Sequence, residues 1–145
     1  VRPTCGIGGD ALTELSVPEI LEKCRTIAVV GCSKDPSKDA HTVPAYMQGQ
    51  GYRIIPVNPT ASEILGEKAY PNVSAIPEPY DLVNIFRPSG QVGPIVDEAI
   101  RAGKAKVIWM QLGISDEAAA DRAKAAGMHV VMDLCLRTEH RFRFR

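Results

Sequence analysis

No stretch of this 145-residue chain approaches the run of about 18 apolar residues that a membrane span requires. Excess charge of one sign is missing too: 17 Lys and Arg balance 17 Asp and Glu, for a formal net charge of zero. A nucleic-acid binder draws much of its affinity from a basic surface, so neither a nucleic acid nor a membrane is the expected partner. The start of the chain has no basic segment followed by an apolar one, so no signal peptide is read there. Cysteine is sparse. Cys5, Cys24, Cys32 and Cys135 form no CxxC pair and no zinc spacing, and His41, His129 and His140 are scattered. The thiols therefore read as free cysteines of a cytoplasmic protein, and no metal is assigned. Also absent is the GxGxxG fingerprint of dinucleotide-binding turns.

What is present suits one domain with an ordinary core: 45% hydrophobic and 23% charged residues. Residues 1–12 hold three glycines and a proline without periodicity and read as a flexible leader, leaving 13–145 as a single domain. Its organising stretch runs from Thr26 to Lys38. Thr26-Ile27-Ala28-Val29-Val30 does not alternate, which predicts a strand buried on both faces. Gly31 then permits a tight turn, and Ser33, Lys34 and Lys38 follow beyond the carboxyl end of the strand. Ligands of open α/β sheets bind at that edge.

Further strands are predicted at 53–57, 81–86, 106–110 and 128–132. Helices are predicted at 17–24, with Ser16 as N-cap, and from about His41 to Gln50. A third starts near Val92 and stops at Gly103, and a fourth lies between a Ser115 cap and Gly127. Alternating strands and helices imply a parallel sheet with right-handed crossovers. The expected architecture is a Rossmann-like three-layer α/β sandwich with five parallel strands in the order 3-2-1-4-5. The tail Arg141-Phe142-Arg143-Phe144-Arg145 alternates charge and ring. A solvated terminus is the default reading for it, with an edge strand or an anion-binding strap as alternatives.

Side chains just past the strand ends are the binding candidates. Gly31, Cys32, Ser33, Lys34 and Lys38 offer amides, a hydroxyl and two cations, a cradle for pyrophosphate. Asn58 and Pro59 follow the second strand, where an NAD site carries an acidic ribose ligand. A neutral Asn leaves room for a phosphorylated ribose, and Lys34, Lys38 and Arg53 lie nearby in sequence. Phe86 and Arg87 end the third strand, and the planar fork of Arg87 suits bidentate phosphate contact. The alternative reading has Arg87 paired with Asp81 or Glu78. Trp109, Gln111 and Gly113 end the fourth strand, although a tryptophan there is more often core. Cys135 and His140 suggest a thiol nucleophile only superficially, since no third group or oxyanion site accompanies them, and no catalytic residue is assigned.

Taken together, Val30-Gly31-Cys32-Ser33, Gly51-Tyr52 with Pro56-Val57-Asn58-Pro59, Asp81-Leu82-Val83 with Phe86-Arg87, Trp109-Met110-Gln111-Leu112-Gly113 and Glu139-His140-Arg141 resemble the single-domain CoA-binding protein family. That family is similar to the N-terminal CoA-binding domain of the succinyl-CoA synthetase α subunit. Cys32 stands where the family more usually has Ala, and Leu134 where it has Arg. The resemblance implies coenzyme A across the strand ends, with the glycine-serine turn near phosphate and the Pro56–Pro59 segment near adenosine. It places Arg87 in the crevice and Trp109–Gly113 on its far side. The synthetase keeps its acyl-transfer chemistry in further domains, so the expected role is a non-catalytic carrier, sensor or regulator of CoA or acyl-CoA, with a protein partner left open. An NAD(P)-binding oxidoreductase-type domain and an interaction module with a decayed nucleotide site are the alternatives.

Overall fold

The computed structural model describes residues 15–144; the stretch 1–12, expected above to be a leader, lies outside them. Helix α1 (Val17–Lys23) begins as predicted. The Ser16 hydroxyl accepts from the Glu19 amide, the Glu19 carboxylate accepts from the Ser16 amide at 2.9 Å, and Pro18 sits in the first turn. The chain then alternates: β1 (Thr26–Val30), α2 (Asp39–Gly49) and β2 (Arg53–Val57) lead into a short hairpin of β3 (Glu63–Ile64) and β4 (Glu67–Lys68). After a 3₁₀ turn at Val73–Ala75 come β5 (Leu82–Ile85), α3 (Val92–Ala102) and β6 (Val107–Met110). Helix α4 (Glu117–Ala125), β7 (His129–Val131) and α5 (Leu136–Phe144) complete it. No helix among the described residues is long and apolar enough to cross a membrane.

Five strands form a parallel sheet covered on both sides, the Rossmann-like α/β class expected. Ile27, Val29, Leu82, Val107 and Trp109 face one layer, packed with side chains of α1, α2 and α5 such as Ile20, Met47 and Leu136. Their neighbours Ala28, Val30, Val83, Ile85, Ile108 and Met110 face the other, packed with Val96 and Ala99 of α3 and Ala120 and Ala123 of α4. The central strands β5 and β6 are thus buried through their whole length, and β1 beyond Thr26, while still alternating between two cores.

Strand order is the first correction. Counting only the five parallel strands, the order is 2-1-3-4-5, not 3-2-1-4-5, because β5 pairs with β1 and β2 takes the edge. Pro56 supplies the physical reason. Its carbonyl accepts from the Tyr70 amide at 3.0 Å, so that side of the residue faces away from β1, and it has no N–H to offer a further strand there. The chain around Tyr70 covers the edge with a single bridge to Val57. An edge proline is tolerated where an interior one would break the ladder.

Two local readings also change. Asp116 caps α4, its carboxylate accepting from the Ala119 amide at 3.0 Å, while Ser115 is held one residue earlier through its own amide by the Ser89 hydroxyl. The arginine- and phenylalanine-rich tail is helical through residue 144. Leu136 and His140, one turn apart, are buried beneath it, and Glu139 pairs with Arg143 at 3.3 Å across another turn. Burial of the 136/140 face outweighed the two-residue alternation that suggested a strand.

Candidate functional site

Because β2 and β5 flank β1, the chain reverses direction beside β1, and a crevice opens there at the carboxyl ends of the strands. Gly31 is its hinge. The residue has φ +87°, and a Cβ on it would lie 2.9 Å from the Phe86 carbonyl oxygen and 3.0 Å from Arg87 Cδ. Only glycine lets the end of β1 lie this close to the end of β5. Around that contact lies a cleft of about 650 Å³. Eight of the predicted residues line it: Gly31, Cys32, Ser33, Lys38, Asn58, Pro59, Phe86 and Arg87.

The loop after β1 is built to present donors. The Ser33 amide donates to the Ala40 carbonyl at 3.1 Å, and its hydroxyl accepts from the Asp35 amide at 3.0 Å, which leaves the hydroxyl proton free. His41 Nδ1 lies 2.7 Å from the Ser33 carbonyl and tethers the loop to α2. Helix α2 starts at Asp39, two residues earlier than predicted, with Lys38 as an N-cap whose side chain makes no capping bond. The amides of Asp39 and Ala40 therefore keep their hydrogen-bonding capacity at the positive end of the helix dipole, and Ala40 lines the cleft. Lys38 lines the same wall.

Arg87 enters from the other side. It bonds neither Asp81 nor Glu78; its Nε and one terminal nitrogen both donate to Gln91 Oε1, at 3.0 and 2.7 Å. One guanidinium nitrogen has no hydrogen-bond partner among the described residues, and Gln91, just ahead of α3, orients the group. Asn58 has a structural task. Its Nδ2 donates to the Cys32 carbonyl at 3.0 Å, and its Oδ1 accepts from the amides of Thr60 and Ala61. Cys32 is fully buried at the cleft floor, and burial pushes its thiol up to about 12, so it stays protonated there.

Four predicted residues do not line the cleft. Lys34 is exposed beside it. Trp109 is fully buried, its indole N–H donating to the Leu134 carbonyl at 2.7 Å. Gln111 is buried and accepts from the Leu136 amide at 3.0 Å, fixing the start of α5, while the Gly113 amide donates to the Asp133 carboxylate at 2.6 Å. Arg53 leaves the presumed cationic group. It lies at the amino end of β2, about 16 Å from Asn58 by strand rise, and is held by Glu67 and Glu78 at 2.9 and 2.8 Å. Sequence reading missed Gln91, Asn72, Ile95 and Glu98, which also line the cleft. They lie around α3 and the 3₁₀ turn, and the 2-1-3 order was needed to bring those segments to β1.

This arrangement defines a class: a parallel α/β domain with a crevice lined by backbone, a lysine and an arginine at the reversal point of its sheet. Within that class the chain belongs to the CoA binding domain family, which it matches over residues 25–141. It is 41% identical over 128 residues to the uncharacterized protein YneT of Bacillus subtilis, covering 88% of this chain and 94% of that one. A solved structure from Thermus thermophilus is similar with a TM-score of 0.84 and 37% identity, covering 90% of this chain and all (100%) of that one. The chain is also 30% identical over 95 residues to the ADP-forming acetate–CoA ligase II of Archaeoglobus fulgidus. That match covers 64% of this chain but only 14% of the ligase.

Proposed function

We propose that the cleft binds coenzyme A or an acyl-CoA, and that the domain acts as a non-catalytic carrier, sensor or regulatory module in the cytoplasm. The observation that carries the reading is the convergence on one crevice of the unspent α2 amides, Lys38 and the Gln91-oriented Arg87. Helix-end amides and a guanidinium suit a pyrophosphate, and the lysine adds charge for a further phosphate. The glycine at β1 admits the phosphates close to backbone that a side chain would block. Family membership and the ligase relatives point to the same ligand. Asn58 adds nothing to an NAD(P) reading, since its amide is committed to the two loops.

Calorimetric titration tests this. CoA is expected to bind more tightly than dephospho-CoA and NAD, because only CoA offers the cationic wall a third phosphate. Equal affinity for all three would show that this wall does not read the extra charge. Turnover of NADH with small carbonyl compounds would overturn the non-catalytic role.

A further inference from the structure

We propose that Glu98 and Asn72 form the base-reading end of the cleft, recognising a purine ring that carries an exocyclic amine. The inference rests on the nucleotide reading above and adds which part of the ligand goes where. The cleft has two chemically different ends. Lys38 and Arg87 mark one; the other lies between the 3₁₀ turn and α3, where Glu98 supplies the only carboxylate lining the cleft among the described residues. Glu98 stands seven residues beyond Gln91 in the chain, close to two helical turns or about 10 Å along α3. A phosphate placed beside Glu98 would meet like charge, so the phosphates are confined to the Lys38–Arg87 end and the base is directed to the other.

That end has the polarity a base edge needs. One Glu98 oxygen accepts from the Ser74 amide at 3.1 Å, which fixes the carboxylate and leaves its second oxygen as a free acceptor among the described residues. Asn72 Oδ1 accepts from the Ala75 amide at 3.0 Å, which turns its NH₂ into the group left to donate. Pro71, Val73 and Ile95 line the same cleft as apolar surface. An acceptor and a donor held at the same 3₁₀ turn beside apolar surface complement the amine and a neighbouring ring nitrogen of adenine, whereas a 6-oxo purine would set its carbonyl against the carboxylate.

The test compares CoA with 1,N6-etheno-CoA, whose bridge removes the amine hydrogens and blocks the adjacent ring nitrogen while leaving every phosphate in place. Wild-type protein is expected to prefer CoA by about tenfold or more, the scale on which a donor–acceptor pair discriminates a base edge. Glu98→Ala is expected to bring the two affinities together by weakening CoA alone, and Asn72→Ala to narrow the ratio in the same direction. Thermal melts establish that each variant is folded, and the wild-type comparison needs no variant. Equal wild-type affinities would overturn the assignment while leaving CoA binding intact. A ratio undiminished in both variants would trace the preference to the bulk of the bridge and also overturn it. Failure of wild type to bind either compound would remove the nucleotide reading itself, and this assignment with it.

Discussion

The Asn58 side-chain amide donates to the Cys32 carbonyl at 3.0 Å and so ties the loop after β2 to the loop after β1. Its carbonyl oxygen meanwhile organises the Thr60–Ala61 turn. Asn58→Asp keeps the acceptor but sets a carboxylate oxygen against the Cys32 carbonyl. We expect this variant to lose about 1–3 kcal/mol of stability, the cost of an unmatched polar group, and to bind CoA more weakly. Urea denaturation and titration of the folded variant measure both. An Asp variant as stable as wild type would show that the loops do not need this bond.

Gly31→Ala forces a side chain into φ +87°, at about 1–2 kcal/mol, and presses a Cβ to 2.9 Å from the Phe86 carbonyl. The end of β1 must then separate from β5, so binding is expected to fall together with the melting temperature. A folded Gly31→Ala protein with unchanged affinity would mean that the close approach of the two strand ends is not what shapes the site.

Arg87→Ala is expected to weaken CoA binding by roughly 1.5–3 kcal/mol, the range for a charge-assisted hydrogen bond. That corresponds to about 10- to 150-fold in Kd. Stability should change little, because Arg87 is exposed and bonds only Gln91 among the described residues. Gln91→Ala should weaken binding by less, since it frees the guanidinium without removing it. Unchanged affinity in Arg87→Ala would reduce the residue to a surface role.

His140 makes stability pH-dependent. The residue lies on the buried face of α5, its Nδ1 lies 2.8 Å from the Tyr46 hydroxyl, and the Tyr46 and Tyr52 rings meet it edge-on. Burial, and then the nearby Arg25 cation, hold its pKa below the ordinary 6.5. The unfolded chain therefore takes up the proton first. The contribution is complete above about pH 6.5 and is lost as pH falls through the lower folded value. Melting temperature should drop on acidification over that window, and His140→Gln should flatten this part of the profile. An identical slope in the variant would assign the pH dependence elsewhere.

The cysteines should differ in reactivity. Burial opposes ionisation of Cys135, but bonds from the Thr138 amide, the Gln111 side chain and the Thr138 hydroxyl outweigh it, and its thiol titrates below the ordinary value. Cys32 is fully buried and shifted up to about 12. Alkylation mapped by peptide mass spectrometry should modify Cys135 well before Cys32 in the native protein. The reverse order would show that the cleft floor opens more readily than the start of α5.

Much of the site was legible because its parts are local. A buried strand followed by Gly31 and polar residues, and a second strand ending in Arg87, announce donors at strand ends whatever the order of the sheet. Trp109 and Gln111 misled because position beside a strand end does not say which way a side chain points; here both serve the seat of α5. Arg53 misled in a similar way, since five residues of extended chain carry it to the opposite edge of the sheet. The Pro56 signal was present in the sequence, where a proline inside a strand argues for an edge position.

By itself the sequence determined the five parallel strands, helices α1 to α4 and the two-sided burial of the central strands, since hydrophobic spacing, caps and glycine stops act over a few residues. It also determined the chemistry available at the turns. Tertiary structure alone decided which turns meet. Pairing of β5 with β1 sets Arg87 against Gly31 and brings α3, with Gln91 and Glu98, to the same cleft. Strand neighbours are chosen by contacts between segments far apart in the chain; the local cue, Pro56, marks β2 as an edge strand without saying which strand takes its place beside β1.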